Sequence, residues 1–131
     1  MTPKLAYVCL LTHDIDRLAA FYREVLQLEP TGRAEYLEFQ TQSALFTLWS
    51  SDEFERTSGS TAAEAPAGGV LLELQVEDVD SEYERLHGLE HLSIHFVMPP
   101  RDLAWGNRSF YFRDPDGNLI DFFTPSGGAS S

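Results

Sequence analysis

The residue with the clearest chemical capacity lies near the end of the chain, at Asp121. The aromatic run Phe110-Tyr111-Phe112 suits a strand, Asp114-Pro115-Asp116-Gly117-Asn118 suits a tight turn, and Leu119 to Phe123 suits a returning strand. Asp121 is therefore expected in mid-strand, where a carboxylate can ligate a metal, pair with a cation or accept a proton. The four histidines offer less. His13 sits beside an expected helix start and His87 at a helix end, while His91 and His95 share a face only if their strand is regular. Surface or edge-strand positions are expected for them. Cys9 is the only cysteine, so no intrachain disulfide can form. No neighbouring cation activates it, and an inert core thiol is expected. Arg108 and Arg113 flank the closing strand, where they either meet an anionic group or stay solvated, and Trp105-Gly106 precedes it as a rim or packing element. No phosphate-binding glycine loop or Ser/His/Asp pattern is present.

These groups need a scaffold. The chain has 131 residues, 43% of them hydrophobic, enough for one globular domain with its own core. Its formal net charge of -12 argues against nucleic acid and favours cationic ligands by electrostatic steering. No apolar run reaches membrane-spanning length and the N-terminus has no signal-peptide pattern, so a cytoplasmic protein without membrane association is expected.

An internal repeat organises the elements. Tyr7 to Asp16 lies over Leu71 to Asp80, each an apolar strand ending in Asp-(Ile/Val)-Asp and followed by a helical pattern. In the first copy Ile15, Leu18, Ala19, Tyr22, Val25 and Leu26 form one apolar face, with Asp14 as N-cap. In the second, Val79, Tyr83 and Leu86 do the same and Gly88 ends the helix. Strand-like sequence follows each helix: 28–33, 36–41 and 44–50, then 92–98, 109–112 and 119–123. Residues 51–69, rich in Ser, Thr, Ala, Gly and Glu, read as a mobile linker, and 126–131 as a frayed tail. The expected layout is α+β, one domain over 1–131, with βαβββ modules at about 4–50 and 70–125 joined by the linker.

The closing hairpin and the segment Asp14-Ile15-Asp16-Arg17-Leu18-Ala19-Ala20-Phe21-Tyr22-Arg23-Glu24-Val25-Leu26 together resemble the vicinal oxygen chelate superfamily, which includes glyoxalase I, extradiol dioxygenases and bleomycin-resistance proteins. The resemblance covers nearly the whole chain. It implies paired modules whose curved mixed sheets surround a central cleft, and four metal-ligand positions that fall here on Tyr7, Thr47, Leu71 and Asp121. Leu71 has no donor atom, Thr47 and neutral Tyr7 are poor ligands, and one carboxylate is not a site. No metal and no other cofactor is therefore expected. Strand parity then places Tyr7, Cys9, Leu11, Leu45, Thr47, Trp49, Leu71, Glu73, Gln75, Leu119, Asp121 and Phe123 toward the cleft, with the alternating apolar residues under the helices.

Aromatic walls (Tyr7, Trp49, Phe123), Thr47 and two carboxylates (Glu73, Asp121) fit a small organic guest, cationic or aromatic. The expected function is metal-free small-molecule binding of the glyoxalase/bleomycin-resistance type, including drug or metabolite sequestration. The alternative is a metal-independent isomerase or lyase with Glu73 or Asp121 as general base. A metal-dependent glyoxalase or dioxygenase ranks below both. The resemblance also implies a homodimer, since open curved sheets leave edges to cover.

Overall fold

The structure, a computed structural model, describes residues 2, 6–58, 70–104 and 106–125. Trp105 and the 126–131 tail lie outside them. The chain divides into two compact units, residues 1–65 and 66–131. Each carries the expected βαβββ order.

The first unit contains β1 (Tyr7–Thr12), α1 (Ile15–Leu26), β2 (Thr31–Arg33), β3 (Tyr36–Gln40), β4 (Leu45–Ser50) and α2 (Ser51–Ser58). Its sheet has the order β1-β4-β3-β2. β1 runs parallel to β4, and the other pairs are antiparallel. α1 starts where the sequence places it, because the Asp14 carboxylate accepts from the Arg17 amide at 3.1 Å. Its apolar face buries Leu18, Ala19, Phe21, Tyr22 and Val25. The Tyr22 ring meets Phe46 edge-on at 4.7 Å and Phe39 at 6.5 Å. That contact fixes which side of the sheet is core: Leu10, Phe39, Phe46 and Leu48 point to α1 and are buried.

The second unit repeats this plan with β5 (Leu71–Gln75), α3 (Val79–His87), β6 (His95–Asp102), β7 (Asn107–Arg113) and β8 (Leu119–Pro125) in the order β5-β8-β7-β6. Asp78 caps α3 by accepting from the Ser81 amide at 3.2 Å. Tyr83 of α3 packs on Phe96 and Phe110 at 5.3 and 5.2 Å, above a floor of Phe112, Ile120 and Phe122. The β7–β8 turn is built by one side chain. Asp114 Oδ1 accepts from the amides of Asp116 and Asn118, both at 2.9 Å, and Gly117 adopts φ +89°.

Three expectations change. Residues 51–58 are not linker but helix α2, with Asp52 and Glu53 in its first turn, Arg56 in its last, and Phe54 packed edge-on against Trp49 at 5.3 Å. The rest of that stretch, 59–69, lies outside the described residues. The strand expected from Leu92 begins later, at His95, because Glu90–Leu92 forms a 3-10 turn closed by Ser93 at φ +49°. β6 then continues through Pro99 and Pro100 to Asp102. Two register shifts and an edge position make those prolines tolerable. No described helix is long and apolar enough to cross a membrane.

Candidate functional site

Each sheet buries one face under its helix and leaves the other open. On the open face of the second unit the strand register sets Glu73 of β5 directly beside Asp121 of β8, and Asp121 directly beside Tyr111 of β7. Phe123 is paired with Ser109 one step along, and Ser109 with Arg101 of β6. Asp121 is only 2% exposed although it lies on that face, because it occupies an inner strand between larger neighbours. Ser109 is fully buried. Neither the Ser109 Oγ nor the Asp121 Oδ1 has a hydrogen-bond partner among the described residues. Buried polar atoms are seldom left this way.

The electrostatics follow from the crowding. Desolvation pushes the Asp121 carboxyl up to about 6, and the adjoining Glu73 carboxyl pushes in the same direction through hydrogen bonding and charge. The nearby Ser109 hydroxyl works against the rise without reaching hydrogen-bond geometry. Tyr111 is raised as well, first by burial and then by the charges of Asp121 and Glu73, with Arg101 opposing. Asp121 therefore holds a proton more readily beside Glu73 than it would alone.

The open face of the first unit repeats the frame with other chemistry. Thr47 takes the place of Asp121, flanked in register by Cys9 and Glu38. Here the polar groups satisfy one another. Tyr36 donates to Glu38 at 2.9 Å, Thr47 donates a long bond of 3.4 Å to the Val8 carbonyl, and Trp49 donates to Glu53 of α2 at 3.0 Å. Burial, reinforced by Glu38, takes the Tyr36 hydroxyl up to about 12. Cys9 is not the core thiol expected. It is exposed on this face because β1 is an edge strand. Its sulfur is still sunk enough for desolvation to raise its pKa, an effect that the Thr47 hydroxyl reduces.

Of the residues chosen from sequence, Glu73, Asp121 and Phe123 share one face of the second unit, and Tyr7, Thr47 and Trp49 share one face of the first. Tyr7 is 53% exposed at the start of its strand. Ser109, Tyr111, Tyr36 and Glu38 join these faces without being singled out by residue type. The register carries their signal, since Tyr111 sits opposite Asp121 and Glu38 opposite Thr47.

The histidines do not form a cluster. His91 belongs to the 3-10 turn rather than to the strand of His95, and His87 stacks on Phe96 at 4.0 Å. Arg108 is engaged by Asp80 through two bonds, at 3.0 and 2.8 Å, and Arg113 donates to the Gly117 carbonyl. A cavity of about 290 Å³ beside Arg108, lined also by Glu77, Asp78 and Asp102, shares no residue with the Glu73–Asp121 pair. Its cation is already paired, so the unsatisfied chemistry is on the open face.

The family's metal does not fit this chain. Among the four ligand positions, Thr47 spends its hydroxyl hydrogen on a backbone carbonyl and Leu71 carries no donor atom. No group of three or more His, Cys, Asp or Glu residues able to hold a metal occurs among the described residues.

Comparison with known proteins agrees with the architecture. The chain is 31% identical to the uncharacterized protein YraH of Bacillus subtilis (strain 168) over 92% of this chain and 97% of that one. It is 27% identical to the uncharacterized protein YwbC of the same organism, over 94% and 98%. Its fold is similar to a glyoxalase/bleomycin resistance protein/dioxygenase from Nocardioides, with TM-score 0.82 and 28% identity over 98% of this chain and 87% of that one. A glyoxalase-related enzyme from Fulvimarina pelagi, 22% identical, shares the fold at TM-score 0.78 over 94% and 88%. The model of one family matches residues 4–122. The chain belongs to the glyoxalase/bleomycin resistance protein/dioxygenase superfamily.

Proposed function

We propose that this protein is a metal-independent member of its superfamily that binds a small organic molecule on the open face of its second unit, in the manner of a sequestering protein. The observation that carries this reading is the buried Asp121 Oδ1 and Ser109 Oγ, both without partners, beside Glu73, Tyr111 and the half-buried Phe123. A guest supplies what the fold leaves unmet, and an aromatic wall beside polar anchors is the usual make-up of a ligand pocket. We extend the proposal to a cytoplasmic homodimer. Tyr7, Val70, Leu71 and Val97 are large apolar residues left between 39% and 53% exposed, and a partner surface would cover them.

A second reading has its own support. A carboxyl raised to about 6 is poised for proton transfer near neutral pH, so Asp121 would serve as the base of a metal-independent isomerase or lyase. A panel of drugs and metabolites separates the two. Hits found by thermal shift are mapped by amide chemical shifts and then assayed for turnover. Perturbations centred on Ser109, Tyr111, Asp121 and Phe123 without turnover support binding, and turnover abolished by Asp121→Asn supports the enzyme. Hits that map only to the Arg108 cavity would contradict both.

A further inference from the structure

We propose that the open face of the second unit takes the primary ammonium head of an organic amine, held by a tripod of acceptors from Glu73, Asp121 and Ser109. The inference rests on the reading that this face binds a guest, and names the guest's chemistry. Three adjacent strands supply the acceptors: β5 gives Glu73, β8 gives Asp121 and β7 gives Ser109. Like charges set beside each other on adjacent strands repel once pH exceeds the raised Asp121 value, and a cation would offset that repulsion. Among the described residues neither carboxylate has an ion-pair partner, in contrast to Asp80, Glu35 and Glu53, each of which holds an arginine.

The unmet groups count the donors. Asp121 Oδ1 and Ser109 Oγ are buried and unpartnered, and Glu73 is exposed beside them. A primary ammonium has three N–H donors and no acceptor, which matches three acceptor groups. A quaternary ammonium carries the charge but leaves Asp121 and Ser109 unsatisfied, and a neutral amide leaves the carboxylates uncompensated. Phe123, in register with Ser109, offers a ring beside the head for the apolar part of the amine. The net charge of -12 steers cations toward the chain as a whole. Arg101, in register with Ser109 on the edge strand, is the internal competitor for the same place.

The test uses the full chain at pH 7.5 and low salt, with 2-phenylethylamine, its N-acetyl derivative and its N,N,N-trimethyl derivative as probes. Affinity is read by calorimetry and location by amide chemical shifts. The amine should bind about tenfold or more tightly than either derivative, and Asp121→Asn and Glu73→Gln should each weaken it about tenfold. Ser109→Ala should weaken it about threefold, with circular dichroism confirming that each variant is folded. The inference is overturned if the acetylated probe binds as well as the amine, if Asp121→Asn leaves amine affinity unchanged, or if Arg101→Ala is needed before any amine binds. A neutral probe that binds this face as tightly as the amine would overturn the ammonium head alone and leave the guest-binding reading standing. Failure of every probe to perturb this face would sink the ammonium head, and failure of the whole drug and metabolite panel to do so would sink both.

Discussion

The two open faces are built on one frame and differ in how their polar groups are satisfied. In the first unit Thr47 sits between Cys9 and Glu38, and α2 folds over the end of the face to engage Trp49. Every strongly polar group named there has a partner within the unit. In the second unit Asp121 sits between Glu73 and Tyr111 at the matching place, and the unit's own helix α3 packs on the other side of the sheet. Two buried polar atoms are left over. The repeated module keeps its strand order while the polar groups on its open face differ. The first copy meets its own polar groups, while the second leaves two buried polar atoms without partners among the described residues.

The comparison can be broken most sharply by exchanging its key residue. Thr47→Asp puts a carboxylate at a position 1% exposed, in register with Glu38 and Cys9. We expect a loss of about 2–4 kcal/mol of stability at pH 7.5, from burying an unpaired charge, with partial recovery near pH 5. Urea denaturation measures it, and an unchanged midpoint would mean the two frames are not equivalent environments.

The reciprocal change is smaller and of opposite sign. The folded-state pKa of Asp121 lies above its ordinary value of 3.8, at about 6. The protonated form therefore favours the fold fully below the ordinary value, and that contribution is lost as pH rises through about 6. Asp121→Asn should then stabilise the protein by about 1–2 kcal/mol at pH 7.5, after allowance for solvent screening, and flatten the stability profile between those pH values. Denaturation midpoints across pH test this, and a variant less stable than its parent above pH 6 would contradict it. Trp49→Phe should cost about 1 kcal/mol by removing the bond to Glu53 that ties α2 to the sheet. An unchanged melting temperature would show that α2 is held otherwise. The smallest effect is at Cys9, whose raised thiol pKa predicts alkylation at pH 7.5 slower than that of free cysteine by less than about tenfold. Faster alkylation would mean that a cation sits close enough to the Cys9 sulfur to activate it.

Much of this was legible in the residues. The Asp-(Ile/Val)-Asp repeat located both helix starts because a cap is a local interaction, and strand alternation separated Leu10, Ile120 and Phe122 from Cys9, Glu73 and Asp121. Helix α2 was hidden because its composition, Ser-Asp-Glu-Phe-Glu-Arg-Thr-Ser, is that of a loop. Its packing of Phe54 on Trp49 is a tertiary contact that composition does not encode. Ser109 and Tyr111 were hidden for a related reason. Tyr111 gains its place from cross-strand register with Asp121 and Ser109 from pairing with Phe123 beside it, and β6–β7 pairing carries register shifts that no periodicity announces. The exposure of Cys9 likewise depends on β1 lying at a sheet edge.

Asp121 stands beside Glu73 on the open face of the second unit, its carboxyl raised by burial and by that neighbour. Carbon-detected NMR of the side-chain carboxyls, followed from pH 3 to 9 in the parent and in Glu73→Gln, tests it directly. We expect an Asp121 midpoint of about 6 in the parent, displaced downward when Glu73 is neutralised. An Asp121 midpoint at the ordinary carboxylate value, unmoved by Glu73→Gln, would contradict it.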